Sequence, residues 1–160
     1  MRRPGILVKL RKEGKLGLVE PSEEIKRSYF AKSESYLSSA KLLLANKKLE
    51  EAVSMSYYSM YYSLLASLFA AGIKSENHAA SIILLKELFG LDNSKIQLAK
   101  RERIDKQYYV GFAVAEADVV DLIKVAEEFN AKLLDYVEKL NSEKLSVARK
   151  KFNLMTAAHS

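Results

Sequence analysis

Residues 100–109 read Lys100-Arg101-Glu102-Arg103-Ile104-Asp105-Lys106-Gln107-Tyr108-Tyr109. Lys100, Arg101, Arg103 and Lys106 place four cations beside the adjacent phenols of Tyr108 and Tyr109. Nucleotide and RNA binding use this mixture, because cations neutralise phosphates while aromatic faces stack on bases. The same residue types also suit a solvated loop or helix end whose tyrosines pack inward. Metal-free RNA cleavage would need one thing more, a group that moves protons near neutral pH. Histidine does so at its unperturbed pKa of about 6.5, whereas tyrosine titrates near 10 and is a poor base. Tyrosine can still stack on a base or hydrogen-bond a phosphate.

The chain has only two histidines, His78 and His159. His78 is readable in two ways. It could face the same cleft as Arg101 and Arg103 and supply an imidazole from another helix. Alternatively it opens a helix and hydrogen-bonds a neighbouring turn or a tyrosine hydroxyl. The catalytic candidates are therefore Arg103, Tyr108 and His78, and the nucleotide- or RNA-binding candidates are Lys100, Arg101, Arg103, Lys106, Tyr108 and Tyr109.

Other chemistries find little support. There is no cysteine, which removes disulfides and thiolate ligands, and two histidines do not make a histidine-rich zinc site. No Gly-rich phosphate loop and no Ser/His/Asp order occurs. Glu127 and Glu128 beside Lys124, and Asp118 with Asp121, read as solvated helix faces or helix-start charge. No metal and no cofactor is expected. The formal charge of +6 suits a phosphate-bearing partner or simply keeps the chain dissolved. In the opening stretch MRRPGILVKLRKEGK the apolar run is only GILV, too short for a signal-peptide core, so the expected location is cytoplasmic.

The elements that must position these residues are helical. At 160 residues, 49% of them hydrophobic, the chain has the size of one domain with a real core. Two prolines and six glycines are too few for the turns of an all-β fold. A short helix fits residues 6–13, before Gly14, Gly17 and Pro21 break the chain. Ser22 is then an N-cap, with Glu23 and Glu24 in the favoured first turn. Ile25, Tyr29, Tyr36, Ala40 and Leu43 follow as one apolar stripe that stops near Asn46. A second long helix runs from Leu49 to Ala71 with Gly72 as a left-handed cap. A third starts near Asn77 and ends before Gly90, carrying Ile82, Ile83, Leu85 and Leu88. Residues 91–114 are the least periodic part of the chain. The last long helix starts near Glu116, with Val119, Ile123, Ala126, Phe129, Leu133, Val137 and Leu140 on one side. Residues 143–152 extend it or form a short tail helix.

Residues 54–69, SMSYYSMYYSLLASLF, belong to the second long helix. On a helical wheel Val53, Tyr57, Tyr61, Leu64 and Leu68 group with Tyr58, Tyr62, Leu65 and Phe69. Ser56, Ser59, Ser63, Ala66, Ser67 and Ala70 form a small-residue face opposite. No charge occurs between Ala52 and Ile73. Such a helix is usually buried on all sides, and its serines can bond back to the i−4 carbonyl. The uncharged length would reach across a bilayer, but five serines and tyrosines gathered on one side do not resemble a spanning helix with interfacial belts. The preferred reading is a central bundle helix at a dimer interface, with no membrane.

The segment EEAVSMSYYSMYYSLLASLFAAGIKSENHAASIILLKELF resembles the second and third helices of HEPN-domain proteins. The small stand-alone prokaryotic branch, the type associated with nucleotidyltransferases, often shows a Tyr-Tyr run, a Gly-Ile/Leu-Lys turn and then a histidine opening the next helix. Those elements here are Ser56-Tyr57-Tyr58-Ser59-Met60, Gly72-Ile73-Lys74 and Asn77-His78. Gly14-Lys15-Leu16, Glu20-Pro21-Ser22 and Ser39-Ala40-Lys41-Leu42-Leu43 also fit, so the resemblance spans roughly residues 5–140. It implies an all-α, up-and-down bundle of four to five helices that forms homodimers. One HEPN-like domain would then cover residues 1–160, with a short helix and linker over 1–21 and a C-terminal tail over 141–160. Many members are metal-independent RNases with an Arg-x(4–6)-His motif from both subunits, and others pair with a small nucleotidyltransferase as toxin and antitoxin. Residues 100–109 match that motif in position. Four residues separate Arg103 from Tyr108, and six separate Arg101 from it, but the histidine is missing. The resemblance thus implies nucleotide or RNA binding. Its alternatives are a metal-independent RNase and a non-catalytic helical interaction module.

Overall fold

Local capping chemistry sets several of the helix boundaries. The computed structural model describes residues 5–108 and 113–157; of residues 106–108 it describes only the backbone. The described residues form α1 (Gly5–Lys12), β1 (Leu16–Leu18), α2 (Glu23–Ala45), α3 (Leu49–Ala70) and β2 (Ile73–Ser75). They continue with α4 (His78–Phe89), α5 (Ser94–Tyr108), α6 (Glu116–Glu138) and α7 (Ser142–Thr156). Ser22 Oγ accepts the Ile25 N–H at 3.2 Å to start α2, and Asn77 Oδ1 accepts the Ala80 N–H at 2.9 Å to start α4. Gly72 and Gly90 take φ of +71° and +66° at the ends of α3 and α4, conformations that cost a residue with a Cβ.

The all-α expectation holds, with more elements than four or five helices. Residues 94–108 are helical although apolar side chains are sparse there. Ile96 and Ala99 are fully buried, and with Arg103 they form an i, i+3, i+7 line toward α3. Residues 142–156 form a separate helix whose Ala148, Phe152 and Met155 are buried, so the expected tail contributes to the core. The linker after α1 holds a three-residue strand, too short for any periodicity, paired antiparallel with β2 with Leu16 opposite Ser75. Leu16 and Ile73 are buried under this pair.

The core centres on α3, which packs against α2, α5 and α6. Its small face is covered within the chain: Ser56, Ser59, Ser63 and Ser67 are fully buried. Ser33 Oγ on α2 bonds Ser59 O and Ser63 Oγ at 2.7 and 2.8 Å, Ser59 Oγ donates to Ser33 O, and Asn130 Nδ2 on α6 donates to Ser59 Oγ. Ser56 and Ser67 bond back to the carbonyls of Ala52 and Ser63. The expected dimer contact through α3 is therefore corrected, because α2 and α6 of the same chain occupy the seam. Tyr29 and Tyr36 of α2 stack on Tyr62, at 5.9 and 5.2 Å between centroids, and Tyr29 stacks on Phe69. Ile25, placed on the same stripe, is instead exposed, because it stands in the first turn of α2.

Two arginines tie down the C-terminal helix, and Arg11 Nη1 of α1 donates to Asn153 Oδ1 and Thr156 Oγ1, each at 2.7 Å. Arg149 Nη1 donates to the carbonyls of Val19 and Gly72, each at 2.9 Å, and of Ala71 at 3.3 Å. One guanidinium thus joins α7, the chain after β1 and the α3–β2 turn. A Cβ on Gly72 would collide with this guanidinium and with Val19 O.

Candidate functional site

The site grows from α3, α4 and α5, which bring the tyrosine run and the basic segment together. Asn77 caps α4 and so fixes His78 at its first residue. Around the same turn Ser81 Oγ bonds Asn77 O at 2.9 Å and Ser75 Oγ at 2.6 Å, and Tyr61 Oη at 3.3 Å. The half-buried His78 ring stacks on Tyr61 at 3.8 Å between centroids. Its Nδ1 lies 2.7 Å from Tyr57 Oη. His78 thus bonds a tyrosine hydroxyl at a helix start, and it also stands near Lys100 and Arg103 of the basic helix.

Arg103 reaches this cluster from α5. Its Cζ lies 5.6 Å from the Tyr57 ring centroid and 5.2 Å from that of Tyr58, within range for cation–π attraction. Tyr57 is fully buried and Tyr58 only partly so. The tyrosines of α3 are thus core residues, as expected, and also the platform on which the arginine rests. That second role was hidden in the sequence because α5 carries few apolar residues. Its signal was the Ile96, Ala99, Arg103 spacing, which points Arg103 at α3.

The electrostatics follow from burial and cation proximity. Burial pushes the Tyr57 phenol far above its usual range, with Tyr61 adding and Arg103 opposing, so the hydroxyl keeps its proton. Burial raises Tyr61 as well, against the hydrogen bond from Ser81. Burial lowers His78 below its ordinary 6.5, and the nearby Lys100 and Arg103 charges lower it further. Near neutral pH the imidazole is therefore neutral. Nδ1 of the neutral ring shares its hydrogen bond with Tyr57 Oη, and the ring tautomer sets which of the two donates. The cluster combines two fixed cations with neutral donors and holds no carboxylate among these residues.

Next to it α4 and α5 enclose an open cleft of about 440 Å³. From α4 it is lined by Ala79, Ile82 and Ile83, at i, i+3 and i+4. From α5 come Gln97, Lys100, Arg101, Ile104 and Asp105, which share one helical face. The predicted basic segment is therefore divided. Arg103 faces the tyrosines, whereas Lys100 and Arg101 line the cleft. Lys106 and Tyr108 lie on the α5 backbone with side chains outside the described residues, and Tyr109 lies outside them altogether. Asp118 and Asp121 are exposed on α6, and Glu127 forms an exposed pair with Lys41 at 3.3 Å, as solvated faces should. No group of metal-ligating side chains occurs among the described residues, and no helix among them is long and apolar enough to cross a membrane.

The HEPN domain matches residues 27–152, from α2 to α7. This chain belongs to the HEPN family. The matched span includes every residue of the cluster and the cleft. A UPF0332 protein of Thermotoga maritima is 31% identical over 127 residues, covering 74% of this chain and 92% of that protein. A UPF0332 protein of Pyrococcus horikoshii is 42% identical over 59 residues, which cover 37% of this chain and 39% of that protein. In this HEPN chain α5 offers Arg103 and no histidine, while His78 reaches the same cluster from α4.

Proposed function

We propose that this HEPN protein binds single-stranded RNA through the α3–α4–α5 cluster. The observation that carries this reading is Arg103 lying across Tyr57 and Tyr58, with His78 and Lys100 beside it. The tyrosine rings restrict the guanidinium, so less side-chain freedom is lost when a phosphate docks. Lys100 and Arg101 on the adjoining face extend the positive surface toward the cleft. Fluorescence anisotropy with a labelled single-stranded oligoribonucleotide tests the reading. Affinity should fall with salt, and the Arg101→Ala/Arg103→Ala double variant should weaken binding and flatten the salt dependence. Unchanged binding by the folded double variant would overturn it.

His78 supports a second reading, a metal-independent RNase. In the tautomer that carries its proton on Nδ1, toward Tyr57 Oη, the neutral imidazole keeps a lone pair on Nε2 to accept a proton from a ribose hydroxyl while Arg103 holds the phosphate. Cleavage that resists EDTA and is lost in a folded His78→Gln variant would support it. Absence of cleavage by the folded wild-type protein would exclude it.

We further propose a homodimer that uses surfaces other than α3. Leu42 on α2 and Leu134 on α6 are 66% and 42% exposed and are candidates for that contact. A small nucleotidyltransferase is the proposed heterologous partner, tested by co-purification from cells expressing both proteins.

A further inference from the structure

The α4–α5 cleft is more than an extension of the basic surface. Its lining combines the aliphatic side chains of Ile82, Ile83 and Ile104 with the charged Lys100, Arg101 and Asp105. No hydrogen bond or ion pair among the described residues engages these three charged side chains, although Arg101 and Asp105 stand one helical turn apart. An RNA phosphate is matched by the two cations, but a carboxylate on the same face repels it. Asp105 therefore suits a ligand part that donates hydrogen bonds. Nucleobases are flat, largely apolar on their faces, and carry donors on their edges. The 440 Å³ volume lies within the usual range for small-ligand sites.

Resting on the RNA-binding reading above, we propose that this cleft is a base-recognition subsite selective for guanine. A carboxylate offers two acceptor oxygens side by side. Guanine presents two adjacent donors, N1–H and N2–H, on its Watson–Crick edge. Adenine and cytosine offer on that edge an amino group next to an acceptor nitrogen, and uracil offers one imino donor flanked by carbonyls. Guanine alone satisfies both oxygens of Asp105 without setting an acceptor against the carboxylate. The base faces lie on the Ile82, Ile83 and Ile104 side chains, while Lys100 and Arg101 hold the attached phosphate.

Anisotropy titrations with oligouridylates carrying one central guanosine, adenosine or cytidine test the subsite. The guanosine strand should bind about tenfold more tightly than the others, the size of one good bidentate base contact. Asp105→Asn, which presents one donor and one acceptor, should abolish that preference and favour adenosine, while oligouridylate binding persists and tightens slightly because the repelling charge is gone. Equal affinity of the wild-type protein for all strands, or a guanosine preference that survives Asp105→Asn, would overturn the subsite and leave the basic-cluster reading standing. No binding to any strand would overturn both.

Discussion

Gly72 and Arg149 show how much one position can decide. At φ +71° any residue other than glycine is strained, and here a Cβ also collides with the Arg149 guanidinium and Val19 O. Gly72→Ala should therefore destabilise the fold by about 1–3 kcal/mol, read as a lower midpoint in chemical denaturation. Arg103 makes a different residue-scale prediction. Arg103→Lys keeps the charge but loses the planar face that lies over Tyr57 and Tyr58. It should weaken RNA binding while retaining the salt slope, whereas Arg103→Ala should lower that slope by about one. At this scale the sequence made Gly72, Arg103 and His78 visible by type and place. It did not reveal that Tyr57 holds His78 or supports Arg103, because both contacts join residues more than twenty positions apart in the chain.

Among the elements, α3 follows most directly from its composition. A run without charge has to be buried on every face, and the serine side admits a close neighbour. The sequence could not say which neighbour, and α2 and α6 of the same chain fill the seam. Ser59→Leu should therefore destabilise the protein by about 1–3 kcal/mol through overpacking, besides removing the acceptor of the Asn130 amide. Thermal unfolding of the variant checks this; an unchanged midpoint would mean the seam can open freely. The helix α5 was least legible, since its exposed faces carry charge and, among its described side chains, only Ile96 and Ala99 are buried. β1 and β2 were hidden for another reason: three residues per strand leave no pattern, and pairing across more than fifty positions holds them.

For the whole molecule, the bundle places a neutral imidazole among cations at the meeting of three helices. Because the folded-state pKa of His78 lies below its ordinary value, the unfolded chain takes up a proton first as pH falls. The stability this represents is present above about pH 6.5 and is lost as pH falls through the lower folded value. The melting temperature should thus decline from pH 7.5 toward pH 5, less steeply in His78→Gln, and parallel profiles would contradict this account of the site. RNA binding itself is the central claim, and chemical-shift mapping tests it most directly. Backbone amide spectra recorded while a single-stranded oligoribonucleotide is added should move at His78, Ala79, Lys100, Arg101 and Arg103. Shifts confined to α2 or α7, or no shifts at saturating RNA, would contradict the assignment of the site to α3, α4 and α5.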